Sequence, residues 1–94
     1  MANKIYAGTI GLEIRIDMVD IITGATNLKF YVRKGDKTEV TWIPSIFGTT
    51  KLIYDTVIET DLIAGLMIIT PYLELGSWKG LCDSVQVIVE EKFA

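Results

Sequence analysis

The sequence predicts an all-β domain folded as an antiparallel two-sheet sandwich, on three observations. Apolar and polar residues alternate with a period of two along much of the chain. Turn residues separate those runs at short intervals. No 3.6-residue periodicity is sustained anywhere. The clearest run is Ile10, Leu12, Ile14, Ile16 and Met18, interleaved with Thr9, Gly11, Glu13, Arg15 and Asp17. Successive strand side chains point to opposite faces, so this run sets its apolar groups on one side and its charges on the other.

The first strand is expected over Ile5 to Met18, with a break near Ala7-Gly8. Residues 19–26 then read as a chain crossing between sheets, with Ile21 or Ile22 plugging the core. The second strand is Asn27 to Arg33, with Leu28, Phe30 and Val32 on one face and Lys29, Tyr31 and Arg33 on the other. Lys34-Gly35-Asp36-Lys37 is a tight hairpin turn, in which glycine permits a positive φ and aspartate bonds its own backbone two residues on. The third strand is Thr38 to Ile43, with Val40 and Trp42 inward. Pro44 then marks a sheet edge or a bulge, because it has no N–H to donate. Phe47-Gly48-Thr49-Thr50 is a further turn, and Lys51 to Val57 the fourth strand, with Leu52 and Tyr54 opposite Ile53.

Ile58 to Gly65 reads as a connection with a short helical turn at residues 59–62. The fifth strand, Leu66 to Leu75, alternates Met67, Ile69, Pro71 and Leu73 with Ile68, Thr70, Tyr72 and Glu74. Pro71 cannot donate to a ladder, so its nitrogen must face away from a paired neighbour or sit in a bulge. Residues 76–80 read as a turn capped by Trp78, and Leu81 to Glu90 as the sixth strand, with Val85, Val87 and Val89 inward.

Ninety-four residues make one domain, 1–94, large enough for a core without metal or disulfide staples. Half of them are hydrophobic, a rich complement that suits either a dense core or apolar surface meeting a partner. The longest unbroken apolar stretch, Leu62 to Ile69, is far too short for a membrane-spanning helix, so no membrane insertion is expected. The N-terminus has no apolar signal region, which leads us to expect a protein made in the cytoplasm. A net charge of −3 with scattered lysines and arginines argues against nucleic acid as a partner.

Reactive chemistry is sparse. The chain has no histidine, the commonest general base and metal ligand. Its one cysteine, Cys82, can form neither an intrachain disulfide nor a thiolate zinc site, and reads as structural. Gly48-Thr49-Thr50-Lys51 lacks the spacing of a phosphate loop. The carboxylates Asp17 with Asp20, or Asp55, Glu59 and Asp61, are close in sequence but carry no acid–base or calcium-loop signature. No enzyme activity, metal or cofactor is expected. Two surfaces remain as candidates. Ile53, Ile68 and Tyr72 lie at outward strand positions and would suit protein docking. Trp42, Tyr72 and Trp78 are the alternative, as an aromatic platform for sugar rings.

A resemblance sharpens this reading. Arg33-Lys34-Gly35-Asp36-Lys37-Thr38-Glu39-Val40 resembles the "V-R-K-P-D-G-T-x-V" hairpin of small immunoglobulin-like phage proteins, such as the N-terminal domain of baseplate upper proteins. Residues 20–30 are similar to that family's "D-I-S-G-A-T-x-V-x-F" segment with one extra residue, and residues 61–65 to its "D-L-x-x-A-G-x-Y" step. Ser84-Val85-Gln86-Val87-Ile88-Val89 is similar to its "V-S-F-T-V" ending. The turn departs from the pattern at Lys34-Gly35-Asp36-Lys37, and Met67 stands where an aromatic is usual. The resemblance implies an immunoglobulin-like sandwich serving as a virion structural protein at the tail, baseplate, portal vicinity or capsid surface. It implies other virion proteins as partners, repeated copies or a homo-oligomer, and contacts that add up through multivalency. The sugar platform would then grip a host surface.

Overall fold

The computed structural model describes residues 5–18 and 21–91. Among them the chain forms strands β1 (Ile5–Tyr6), β2 (Glu13–Asp17), β3 (Thr26–Arg33), β4 (Glu39–Trp42), β5 (Ser45–Phe47) and β6 (Lys51–Asp55). A 3₁₀ turn, Glu59–Asp61, precedes β7 (Gly65–Leu75), β8 (Trp78–Leu81) and β9 (Val85–Glu90). The larger sheet has the order β1-β9-β7-β3-β4, with β8 also on β7; the smaller has the order β2-β6-β5. Every pairing is antiparallel except β1 with β9. The protein is thus all-β with two sheets, an arrangement compatible with a β-sandwich.

The core is built from the inward half of each alternation. Phe30, Val32, Trp42, Met67, Ile69, Leu73 and Val89 come from the larger sheet, and Ile14, Ile16 and Leu52 from the smaller. Phe30, Leu52, Met67 and Ile69 are completely buried, each contributing about 1.5–3 kcal/mol. Trp42 stacks on Tyr54 across the sheets, with ring centroids 4.4 Å apart and planes 7° from parallel. Ile22 plugs the core as expected, while Ile21 is exposed. Residues 19 and 20 of that crossing lie outside the described residues.

Four expectations need correction. The break expected near Ala7-Gly8 is present but extends to Leu12: Gly8 and Gly11 take positive φ between β1 and β2, so the alternation slips and Ile10 is exposed. Strand β5 was not expected; it is three residues, too short to show a period, held by Ile46 opposite Leu52. The predicted turn over residues 76–80 shrinks to Gly76-Ser77, because Trp78 pairs with Leu75 and Gly80 with Leu73 to make β8. In the β3–β4 turn, Lys37 and not Gly35 holds the positive φ, at 69°. Gly35 is required for another reason: a Cβ there would lie 2.0 Å from the Ala64 carbonyl oxygen. The hairpin tip is therefore pressed backbone to backbone against the segment entering β7. Buried Lys34 reinforces this contact, donating from Nζ to the Thr60 carbonyl.

Both prolines sit where their missing donor does no harm. Pro44 separates β4 in the larger sheet from β5 in the smaller, so the chain changes sheets there. Pro71 lies in a central strand, opposite Phe30. Its carbonyl accepts from the Cys82 N–H at 2.8 Å, which shows that its nitrogen faces that same side. There β8 has ended and β9 has not begun.

Candidate functional site

The register of the larger sheet assembles one outward surface from β3, β7, β8 and β9, flanked by the β3–β4 hairpin. Strand β7 supplies Leu66, Ile68, Thr70, Tyr72 and Glu74; β3 supplies Lys29, Tyr31 and Arg33 beside them. Leu66 stands opposite Ile88 of β9, and Tyr72 opposite Leu81 of β8. Leu66, Ile88, Leu81 and Tyr31 are exposed and Ile68 and Tyr72 half-buried, so apolar groups run the length of this face. A shallow hollow of about 520 Å³ lies among Tyr31, Arg33, Glu39, Thr41, Ile68 and Thr70.

Polar contacts hold this surface in place. The Tyr72 hydroxyl donates to Glu74 Oε2 at 2.8 Å, and its ring meets Tyr31 edge-on at 6.2 Å between centroids. Lys29 Nζ lies 5.7 Å from the same ring. Glu74 also accepts from the Asn27 side chain, and that bond, with the one from Tyr72, holds its carboxyl below the usual glutamate range. The bond to Glu74 and partial burial push the Tyr72 phenol up, so it stays a neutral donor. Asn27 itself has φ of 51° and lies within the register shift between Thr26 and Lys29. Arg33 and Glu39 pair at 2.7 Å across the hairpin beside Ile68, and Thr70 shares a hydrogen bond of 2.6 Å with Ser84.

The predicted candidates do not all share a surface. Ile68 and Tyr72 belong to this outward face, but Ile53 lies on the outer face of the smaller sheet. Around Ile53 are Glu13, Arg15, Asp17, Lys51 and Asp55, and Arg15 lies 4.3 Å from the Phe47 ring centroid. The aromatic platform is also dispersed. Trp42 is buried beneath Tyr54, Tyr72 points outward, and Trp78 sits on the inward side of β8. Three rings on three surfaces cannot stack on one sugar. Missed in the sequence were Leu66, Leu81 and Ile88; only a register across β7, β8 and β9 could have grouped them.

The carboxylate candidates are also apart. Asp61 is buried and accepts from the Val57 and Ile58 N–H groups at 2.8 and 3.2 Å, so it closes the 3₁₀ turn. Asp17 and Asp55 are exposed at opposite ends of the β2–β6 ladder, and Asp20 lies outside the described residues. No group of three carboxylate or thiol side chains among the described residues is placed to hold a metal ion. Burial, and then the charge of Asp83, push the Cys82 thiol up, which disfavours the nucleophilic thiolate. Among the described residues no helix is long and apolar enough to cross a membrane. Comparisons with protein-family models, curated proteins and solved structures found no match.

Proposed function

We propose that this chain is an immunoglobulin-like structural module of a bacteriophage particle, working by docking through the outward face of its larger sheet. The observation that carries the docking reading is the continuity of Leu66, Ile68, Tyr72, Leu81, Ile88 and Tyr31 across four strands of one face. Folding alone does not require these groups outward, since the inward positions of β7 already fill the core. An apolar patch that includes tyrosines, with charged and polar groups around it, matches the apolar, aromatic-rich core and polar rim of a protein interface.

Strand order supports the immunoglobulin-like part. With β2 to β7 lettered B, C, C′, D, E and F, and β9 lettered G, the two sheets read B-E-D and G-F-C-C′. That is the division characteristic of the fold. The phage part is supported by the hairpin, crossing and terminal-strand resemblances. The expected setting is the virion, with other virion proteins as partners and many copies per particle, so that weak contacts sum.

The test is direct. Particles from the host carrying the gene would be purified, with a photo-crosslinking residue in place of Ile68. We expect the chain in the particles and crosslinked to a particle protein. Absence from particles, with no crosslink, would overturn the reading.

A further inference from the structure

Trp78 pairs with Leu75 and Gly80 with Leu73, so both belong to the inward side of β8, and Cys82 follows them on that side. Trp78 is nevertheless 49% exposed, because no strand of the smaller sheet covers it. Gly80 leaves room for the indole: a Cβ there would lie 3.5–3.9 Å from three atoms of the ring. The ring therefore lies along the strand, toward Cys82 and Asp83. A cleft of about 590 Å³ opens in front of it, with Ile16, Met18 and Ile22 on one side and Leu75, Trp78 and Val85 on the other. That is the size of a small-molecule site, and its walls are mostly apolar.

Charge narrows the occupant. The described lining contains no lysine or arginine; its charged members are Asp17 and Asp83. Asp17 is engaged within the chain, whereas Asp83 is exposed and makes no hydrogen bond or ion pair among the described residues. Its carboxylate lies close enough to Cys82, in the cleft wall, to add to burial in pushing that thiol up. An anionic head group would be repelled here, and an uncharged one would leave Asp83 without a counter-charge. An ammonium group satisfies both Asp83 and the indole, the side-chain ring that attracts cations best. A second copy of the chain, with a net charge of −3, would bring further negative charge to this mouth.

We propose that the cleft binds a small amphiphile with a cationic head, its alkyl chain between the sheets and its ammonium over the Trp78 ring beside Asp83. The outward face of the larger sheet takes no part, so the inference stands whether or not that face docks.

Calorimetry and intrinsic fluorescence test it on the whole chain, with hexyltrimethylammonium, heptanol and heptanoate as probes. We expect saturable binding of hexyltrimethylammonium with a change in Trp78 emission, since Trp42 is already buried. Heptanoate should bind about tenfold more weakly or worse. Butyltrimethylammonium, shorter by two methylenes, should also bind about tenfold more weakly. Asp83→Asn, at an exposed position, should weaken hexyltrimethylammonium about two- to fivefold and leave heptanol binding unchanged. Trp78→Leu, which keeps an apolar wall but removes the ring, should have an effect of similar size. Equal affinity for heptanoate, indifference to Asp83→Asn, or no saturable binding at millimolar probe would overturn the inference. So would a blue shift of Trp78 with rising protein concentration and a doubling of mass by sedimentation, which would give the cleft to a second copy.

Discussion

On one side of β7, Met67, Ile69, Pro71 and Leu73 are sealed beneath the smaller sheet; on the other, Leu66 is exposed and Ile68 and Tyr72 are half-buried. Both sides are largely apolar, so composition alone does not separate them. The inward side meets Ile14, Ile16 and Leu52 from the opposite layer, and its free energy goes into folding. Among the described residues the outward side meets no opposing layer. Its apolar groups contribute little to stability and are available for a partner. One strand thus carries both the structural and the proposed functional surface, one residue apart.

The comparison can be broken from either side. Phe30→Ala, at a fully buried position opposite Pro71, should lower unfolding free energy by about 3–5 kcal/mol in a urea titration. A loss under about 1 kcal/mol would show that the inner side is loosely packed. Ile69→Ala should cost about 2–5 kcal/mol in the same measurement. Ile68→Asp, its neighbour on the outer side, should cost about 1 kcal/mol or less while abolishing crosslinking to the particle partner. Loss of folding in that variant would place Ile68 in the core instead.

Glu74 sharpens the comparison further. Its folded carboxyl is held below its ordinary value, by Asn27 first and by Tyr72 second. A depressed carboxylate contributes stability above its unfolded pKa and loses it as pH falls through the folded value. The wild type should therefore lose slightly more stability than Glu74→Gln as pH drops from about 5 to about 3. Equal acid sensitivity would mean that the outward face is not held by that carboxylate. The smallest effect is expected at Ile53, on the charged outer face of the smaller sheet. Ile53→Asp should leave particle crosslinking at Ile68 unchanged, and a loss there would show that both outer faces take part.

Several features were legible in the residues. The inward sets Phe30/Val32, Leu52/Tyr54 and Met67/Ile69/Pro71/Leu73 followed from alternation, because pleat geometry links neighbours along one strand. The Asp36 turn was equally local: its Oδ1 accepts from the Thr38 N–H at 3.0 Å, two residues on. Cross-strand facts were not legible. Gly35 looked like a residue chosen for backbone freedom, but its role depends on Ala64, far along the chain. Trp78 looked like a turn cap because the Lys79-Gly80 stretch after it does not alternate.

By itself, then, the sequence determined which side chains alternate, where the chain turns, and that the domain is β throughout; these depend on contacts between near neighbours. Tertiary structure alone decided that Ile53 and Ile68 lie on the outer faces of different sheets, and that Leu66, Leu81 and Ile88 stand beside Ile68 and Tyr72 on one surface. Those outcomes depend on which strands meet. Strand pairing joins residues distant in sequence, and no local period encodes it.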